Sequence, residues 1–176
     1  MPTSKLPNFV DFEASSLGPR SYPIEVGWSL DDGTVESHLI DPASQPAWTD
    51  WDPGAEHEIH GISRELIIKE GRDPLWVAAR MNETLGGRLV YTDAPDWDGF
   101  WLQVLFDAAG LVPAFRLGTA QALWYHKLDK GRDFDLRERF AELEHLASAR
   151  ISGPRHRAAN DVRYFIELYR LCCTAG

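Results

Sequence analysis

Apolar and polar positions along this chain divide it into strands first and alternating strands and helices afterwards. Asn8 to Leu17 (NFVDFEASSL) has the apolar density of a buried strand. Ile24 to Leu30 (IEVGWSL) and Thr34 to Ile40 (TVESHLI) predict a hairpin, with Asp31-Asp32-Gly33 as its turn. These three segments are expected to be antiparallel neighbours. Residues 41 to 60, rich in Pro, Trp and Asp, predict a long irregular segment with at most one short helical turn. Asp73-Pro74 is a good N-cap and first-turn pair for a helix running to Leu85, stopped by Gly86-Gly87. Arg88 to Tyr91 (RLVY) predicts a short buried strand. Trp97, Phe100, Trp101, Val104, Leu105 and Ala108 then recur at helical spacing. A fifth strand is expected at Ala114 to Leu117, and helices at Thr119 to Leu128 and Asp133 to Ala149. A final helix carries Val162, Phe165, Ile166 and Tyr169 on one face. This order predicts an α/β layered domain with a mixed sheet, spanning residues 1–176 as one unit.

With 176 residues, 44% of them hydrophobic, the chain can bury a proper core. A formal net charge of −9 excludes a basic protein that coats nucleic acid, and points to a small footprint on any such partner. The opening residues MPTSKLPNFV lack the long apolar run of a secretion signal, and no stretch approaches a membrane span, so a cytoplasmic location without membrane contact is expected. Cys172 and Cys173 are adjacent and suit neither a disulfide with each other nor a metal knuckle.

The first strand holds an anomaly. Asp11 and Glu13 stand at i and i+2, so both carboxylates leave the same face of the strand, among Phe9, Val10 and Phe12. Burying two unpaired anions costs on the order of several kcal/mol unless they are protonated or hold a cation. A divalent metal resolves this simply, since hard cations take carboxylate oxygens. Two other segments add candidates. His156 to Asp161 (HRAAND) places a His five residues before an Asp at the start of an amphipathic helix. Tyr91 to Leu102 (YTDAPDWDGFWL) puts Asp93, Asp96 and Asp98 at a strand-to-helix junction. All three compete for a metal role; Asp98 is preferred for its place in the first turn, and Asp96 is expected to cap the helix.

Together these segments resemble the three motifs of the DnaQ-like, DEDDh family of 3′-to-5′ exonucleases, which includes RNase T, oligoribonuclease and polymerase proofreading subunits. Asp11-Phe12-Glu13 resembles the first motif, with Leu17 where the family often wedges a Leu near the terminal base. Asp98, preceded by Trp97, resembles the second. His156, Ala158 and Asp161 resemble the His-x-Ala-x-x-Asp third motif. His60-Gly61-Ile62-Ser63 is similar to a segment that commonly follows the family's hairpin. Two departures stand out. Ala14-Ser15-Ser16 replaces the usual Thr-Gly after the first Glu, altering how the backbone grips a terminal nucleotide, and Asp93 stands where an Asn is common.

The resemblance implies an RNase H-like fold, a mixed five-stranded sheet with helices on both faces. It implies two divalent ions, Mg²⁺ or Mn²⁺, with Asp11 bridging, Glu13 and Asp161 completing one site and Asp98 holding the second. It implies substrate contacts at Ala14, Ser15, Leu17 and His60. The partner expected is a single-stranded 3′ end of DNA or RNA, and a homodimer is expected only by analogy with relatives. His156 would be the general base, suited by an imidazole pKa of about 6.5. Were both helical, His156 and Asp161 would lie about 140° apart around the axis. Gly153 and Pro154 instead place His156 in a loop before the helix.

Of the tryptophans, Trp97, Trp101 and Trp76 fall at core spacing and are expected to pack. Trp48 and Trp51, in the irregular segment, are the ones placed for substrate contact. Arg150, Arg155 and Arg157 flank the third motif and could meet a phosphate backbone or balance local acid. Other classes stay open: a non-catalytic module of the same fold that binds a polymerase or another partner, and an RNase H-like hydrolase that cuts internally.

Overall fold

The computed structural model describes residues 5–129 and 135–176. Its centre is β1 (Asn8–Ala14), an almost wholly buried strand. β2 (Pro23–Ser29) pairs antiparallel with β1, and β3 (Val35–Leu39) pairs antiparallel with β2 as a half-exposed edge. On the other side β4 (Leu89–Thr92) and β5 (Arg116–Thr119) run parallel, giving the order β3-β2-β1-β4-β5. The expected mixed five-stranded sheet is therefore present, and its topology is RNase H-like. The fifth strand begins two residues later than its apolar run suggests.

Period-two alternation sends the side chains of β1 into two separate cores. Val10, Phe12 and Ala14 pack with Val77, Met81, Leu105 and Phe106 of α3 (Pro74–Leu85) and α4 (Pro95–Ala109). Phe9 packs on the opposite face with Trp124, Phe140 and Phe165. Those residues belong to α5 (Ala120–Leu128), α6 (Leu136–Arg150) and α7 (Ala158–Ala175). The expected start of α6 at Asp133 lies outside the described residues; within them Asp135 caps the helix through the Arg137 and Glu138 N–H groups. Asp11 and Glu13 share the parity of Phe9, and so face α7. No helix among the described residues is long and apolar enough to cross a membrane.

The segment expected to be irregular contains more helix than its composition suggests. A 3₁₀ turn at Pro42–Ser44 precedes α1 (Pro53–Ala55), which runs into a π turn at Glu56–His60 and stops at Gly61 in the left-handed region. Beyond it α2 (Arg64–Glu70), absent from the sequence reading, starts at Ser63, whose hydroxyl accepts from the Leu66 N–H. Ser63, Glu65 in the first turn and Lys69 in the last were its available signals.

Helix α7 lies across β1 and β2, and its start touches the sheet. A Cβ built on Gly27 of β2 would come within 2.8 Å of the Ala158 carbonyl carbon and 2.9 Å of its oxygen. Beside this contact the buried Glu25 accepts from Arg157 Nε at 3.0 Å, Arg157 Nη2 at 2.9 Å and the Ala158 N–H at 3.1 Å. Gly27→Ala is therefore expected to lower stability by roughly 1–3 kcal/mol, because the atom in the way is backbone. Thermal melting checks this, and an unchanged melting temperature would contradict the contact.

Candidate active site

Four acids from three elements meet at one end of β1. Asp11 and Glu13 come from its second half, just before a register irregularity between Glu13 and Ala14. Asp98 comes from the first turn of α4, and Asp161 from the first turn of α7. The β1–β4 pairing sets Phe9 beside Tyr91, which brings the β4-to-α4 turn next to the acids of β1. This is the strand-end location where open α/β sheets form clefts.

The carboxylate and imidazole atoms fall into two groups, each with its members within 4.8 Å of one another: Asp11, Asp93 and Asp98, and Glu13, His156 and Asp161. Asp93 and Asp98 thus both reach Asp11, which the choice between them on sequence did not anticipate. Asp96 does not cap α4 as expected. Ala94 occupies the cap without a side-chain bond, and Asp96 lies exposed in the first turn. A residue missed in the sequence, Thr92, orients Asp98: its buried hydroxyl donates to the Asp98 carboxylate and accepts the Ala94 N–H at 3.1 Å. Its position between a strand and Asp93 was the available signal.

Packing these acids together disfavours their ionisation. Burial pushes the Asp11 carboxyl well above the carboxylate range, and Asp98, Glu13, Asp161 and Asp93 add to it. Burial, then Asp161 and Glu25, raise Glu13 to about 8. Burial raises Asp98 to about 7 against the Thr92 hydrogen bond. Asp93 is exposed as a residue, but its carboxyl faces the cluster and is also raised, by burial first and Asp161 next. An all-oxygen set of this density, short of counter-charge, fits a hard divalent cation.

His156 precedes α7 in an exposed loop, as expected, with φ 60°. The left-handed region is uncommon for a residue with a side chain, and is held here by its surroundings. Asn160 braces the loop by donating to the Pro154 carbonyl at 2.8 Å. Ala158 is fully buried, and its backbone is what lies against Gly27.

The proposed substrate residues divide. Leu17 is 64% exposed, and next to it Gly18, Pro19, Asp96, Trp97 and Phe100 line a cavity of about 350 Å³. His60 is buried; its Nδ1 accepts the Ile62 N–H at 3.0 Å, while Nε2 has no partner among the described residues. Burial, opposed by Glu56, lowers its pKa, so the neutral ring carries its proton on Nε2. Ser15 is committed internally: its hydroxyl accepts the Tyr22 N–H at 3.1 Å, its N–H donates to the Tyr22 carbonyl and its carbonyl accepts from Asp52. Ala14 is buried in the core beside it.

The tryptophan expectations divide. Trp97 is 43% and Trp76 44% exposed, and of the three only Trp101 is buried, donating from Nε1 to Ser21 Oγ at 3.0 Å. Trp48 is buried and stacked on Tyr22, and Trp51 donates from Nε1 to Glu56. Helical spacing placed Trp97 on the right helix but could not show that its turn overhangs the cleft.

No family model matches the sequence, and no curated protein matches it. The chain is similar in structure to Exonuclease I of E. coli in complex with a dT13 oligonucleotide, at 18% identity and TM-score 0.69, over 98% of this chain and 42% of that one. It is similar to the zinc-bound form of that enzyme with single-stranded DNA at 20% identity and TM-score 0.67, over 96% and 41%. Exonuclease I from Methylocaldum szegediense follows at 19% and 0.62, over 93% and 40%. This chain therefore shares the RNase H-like fold of these proteins and spans about two-fifths of their length.

The raised carboxyls predict a stability signature. A carboxyl raised in the folded state stabilises below its unfolded pKa, and that contribution is lost as pH rises through its folded pKa. For Glu13 the window runs from its ordinary 4.5 to about 8. Without metal, Glu13→Gln should match the wild type near pH 5 and melt about 5 °C higher near pH 9. Adding Mn²⁺ at the higher pH should raise the wild type more than the variant. Calorimetric melts across pH check both differences.

Proposed function

We propose that this chain is a metal-dependent 3′-to-5′ exonuclease acting on single-stranded nucleic acid and releasing nucleoside monophosphates. The observation that carries this reading is the convergence of Asp11, Glu13, Asp98 and Asp161 at one end of β1, with His156 in the Glu13–Asp161 group. The neighbours' fold supports it, since the named complexes hold single-stranded oligonucleotides. Asp11, Glu13 and Asp161 would hold one Mg²⁺ or Mn²⁺, and Asp11 with Asp98 a second, with Asp93 beside them. Bound ions of this kind supply an activated water and stabilise charge at the phosphorus and the leaving oxygen.

The remaining steps belong to the chain. His156, in a solvent-facing loop, takes the proton of the attacking water. Trp97 and Phe100, with the exposed Leu17 next to the Gly18 side of their cavity, offer an apolar surface on which a terminal base can stack, worth about 1–3 kcal/mol per base. The acidic balance suits a grip confined to a free end.

The test is a 5′-labelled strand of DNA, RNA or a dinucleotide, with a free or blocked 3′ end, in Mg²⁺, Mn²⁺ or chelator. A ladder that needs both metal and a free 3′ end is expected. Asp11→Asn and Asp161→Asn should each reduce turnover to background, and His156→Ala should reduce it about 10²–10⁴-fold. Internal cuts would replace this reading with an endonuclease, and an inert protein with a binding module. Trp97→Ala should raise KM for single strands about tenfold with a smaller change in kcat.

A further inference from the structure

Three arginines flank the third motif, and their partners differ. Arg150 donates to Glu167 at 2.7 Å on the outer side of α7. Arg157 is fixed on Glu25 and anchors the helix start. Arg155 instead forms an ion pair through Nε with Oδ1 of Asp161, one of the four clustered acids. That oxygen is buried and lacks a well-formed hydrogen bond among the described residues. The Arg155 guanidinium also lies 4.1 Å over the Tyr164 ring. It borders a polar cavity of about 280 Å³ shared with Asp93, Gln121, Glu144 and Tyr164. Its side chain is 42% exposed and stands on a loop, so it can pivot on Tyr164 without disturbing the core.

A cation that binds Glu13 and Asp161 meets the carboxylate that this guanidinium holds. Two cations beside one carboxylate repel each other, and the multivalent ion is the stronger claimant. Resting on the exonuclease reading above, we propose that Arg155 is a displaceable guanidinium that neutralises Asp161 in the metal-free site. When metal binds, it moves out to grip a phosphodiester of the incoming strand. Arg150 and Arg157 are paired instead with Glu167 and Glu25, which lie outside the four acids that would bind metal. Arg155 alone of the three is paired with one of the four acids, and its flat fork suits phosphate oxygens. Tyr164 keeps the fork stacked in both positions, and the adjoining cavity gives it room to turn. The contact thus couples loading of the metal to readiness for substrate, and each favours the other.

The prediction is a pair of opposite changes that a merely structural arginine would not produce. Mn²⁺ alone, titrated calorimetrically into protein free of nucleic acid, should bind Arg155→Met about three- to tenfold more tightly than wild type, because the competing cation is gone. An oligothymidylate with a free 3′ hydroxyl, followed by fluorescence anisotropy in Ca²⁺, should bind that variant about tenfold more weakly. Its salt dependence should be shallower by about 0.7 in the log–log slope. Arg155→Lys keeps the charge but not the fork, and should lie between the two in both measurements; it carries the test if the Met variant does not fold. Mn²⁺ affinity that is unchanged or weaker in the variants, or undiminished oligonucleotide affinity, overturns the proposal. Where wild type binds both ligands and the variants match it, this inference alone fails. Where wild type binds neither, the exonuclease reading fails with it.

Discussion

The arrangement depends on how closely α7 can begin against β2. Gly27 has no side chain, Ala158 has a small one, and Glu25 grips both the Arg157 guanidinium and the Ala158 N–H. Together they press the first turn of α7 onto the sheet beside the acid-bearing face of β1. Asp161 is one turn into that helix, so its place opposite Glu13 follows from the contact. A larger residue at Gly27 would lift the helix and open the cluster. Glu25 is itself an acid directly across the ladder from Glu13, and Arg157 keeps their repulsion from being uncompensated.

That compression produces the electrostatic character of the site. Carboxyls that would ionise in water are held among apolar side chains and near one another, and Asp11, Glu13 and Asp98 shift upward together. Such a cluster is unfavourable by itself and becomes favourable when counter-charge arrives. Arg155 supplies part of it through its ion pair with Asp161. The same logic explains why the site sits at a strand end. Only there can a central strand, a helix start and a second helix start converge with solvent access on one side.

The surroundings of the cluster follow from packing. Apolar surface at Leu17, Trp97 and Phe100 stays open beside a wall of Gly18 and Pro19. Two tryptophans of the intervening segment are drawn inward instead, Trp48 against Tyr22 and Trp51 near His60. The loop that looked free to meet a ligand is therefore part of the support, and the helix that looked like core supplies the exposed ring.

Much of this was legible along the chain because it is local. Period-two and helical spacing located all five strands and α3 to α7, to within a few residues, and Asp73 marks a helix start by its chemistry. The paired acids of β1 were visible because two charges on one face of an apolar strand are anomalous wherever they occur. The brief helix α2 was hidden by its length, since seven residues carry too little periodicity to stand out. Only the tertiary structure decided that Asp93 joins Asp98 beside Asp11, that Thr92 orients Asp98, that Glu25 holds the start of α7, and that Arg155 pairs with Asp161 while Arg157 pairs with Glu25. Those outcomes rest on distances between residues far apart in the chain, which packing sets and local spacing does not encode.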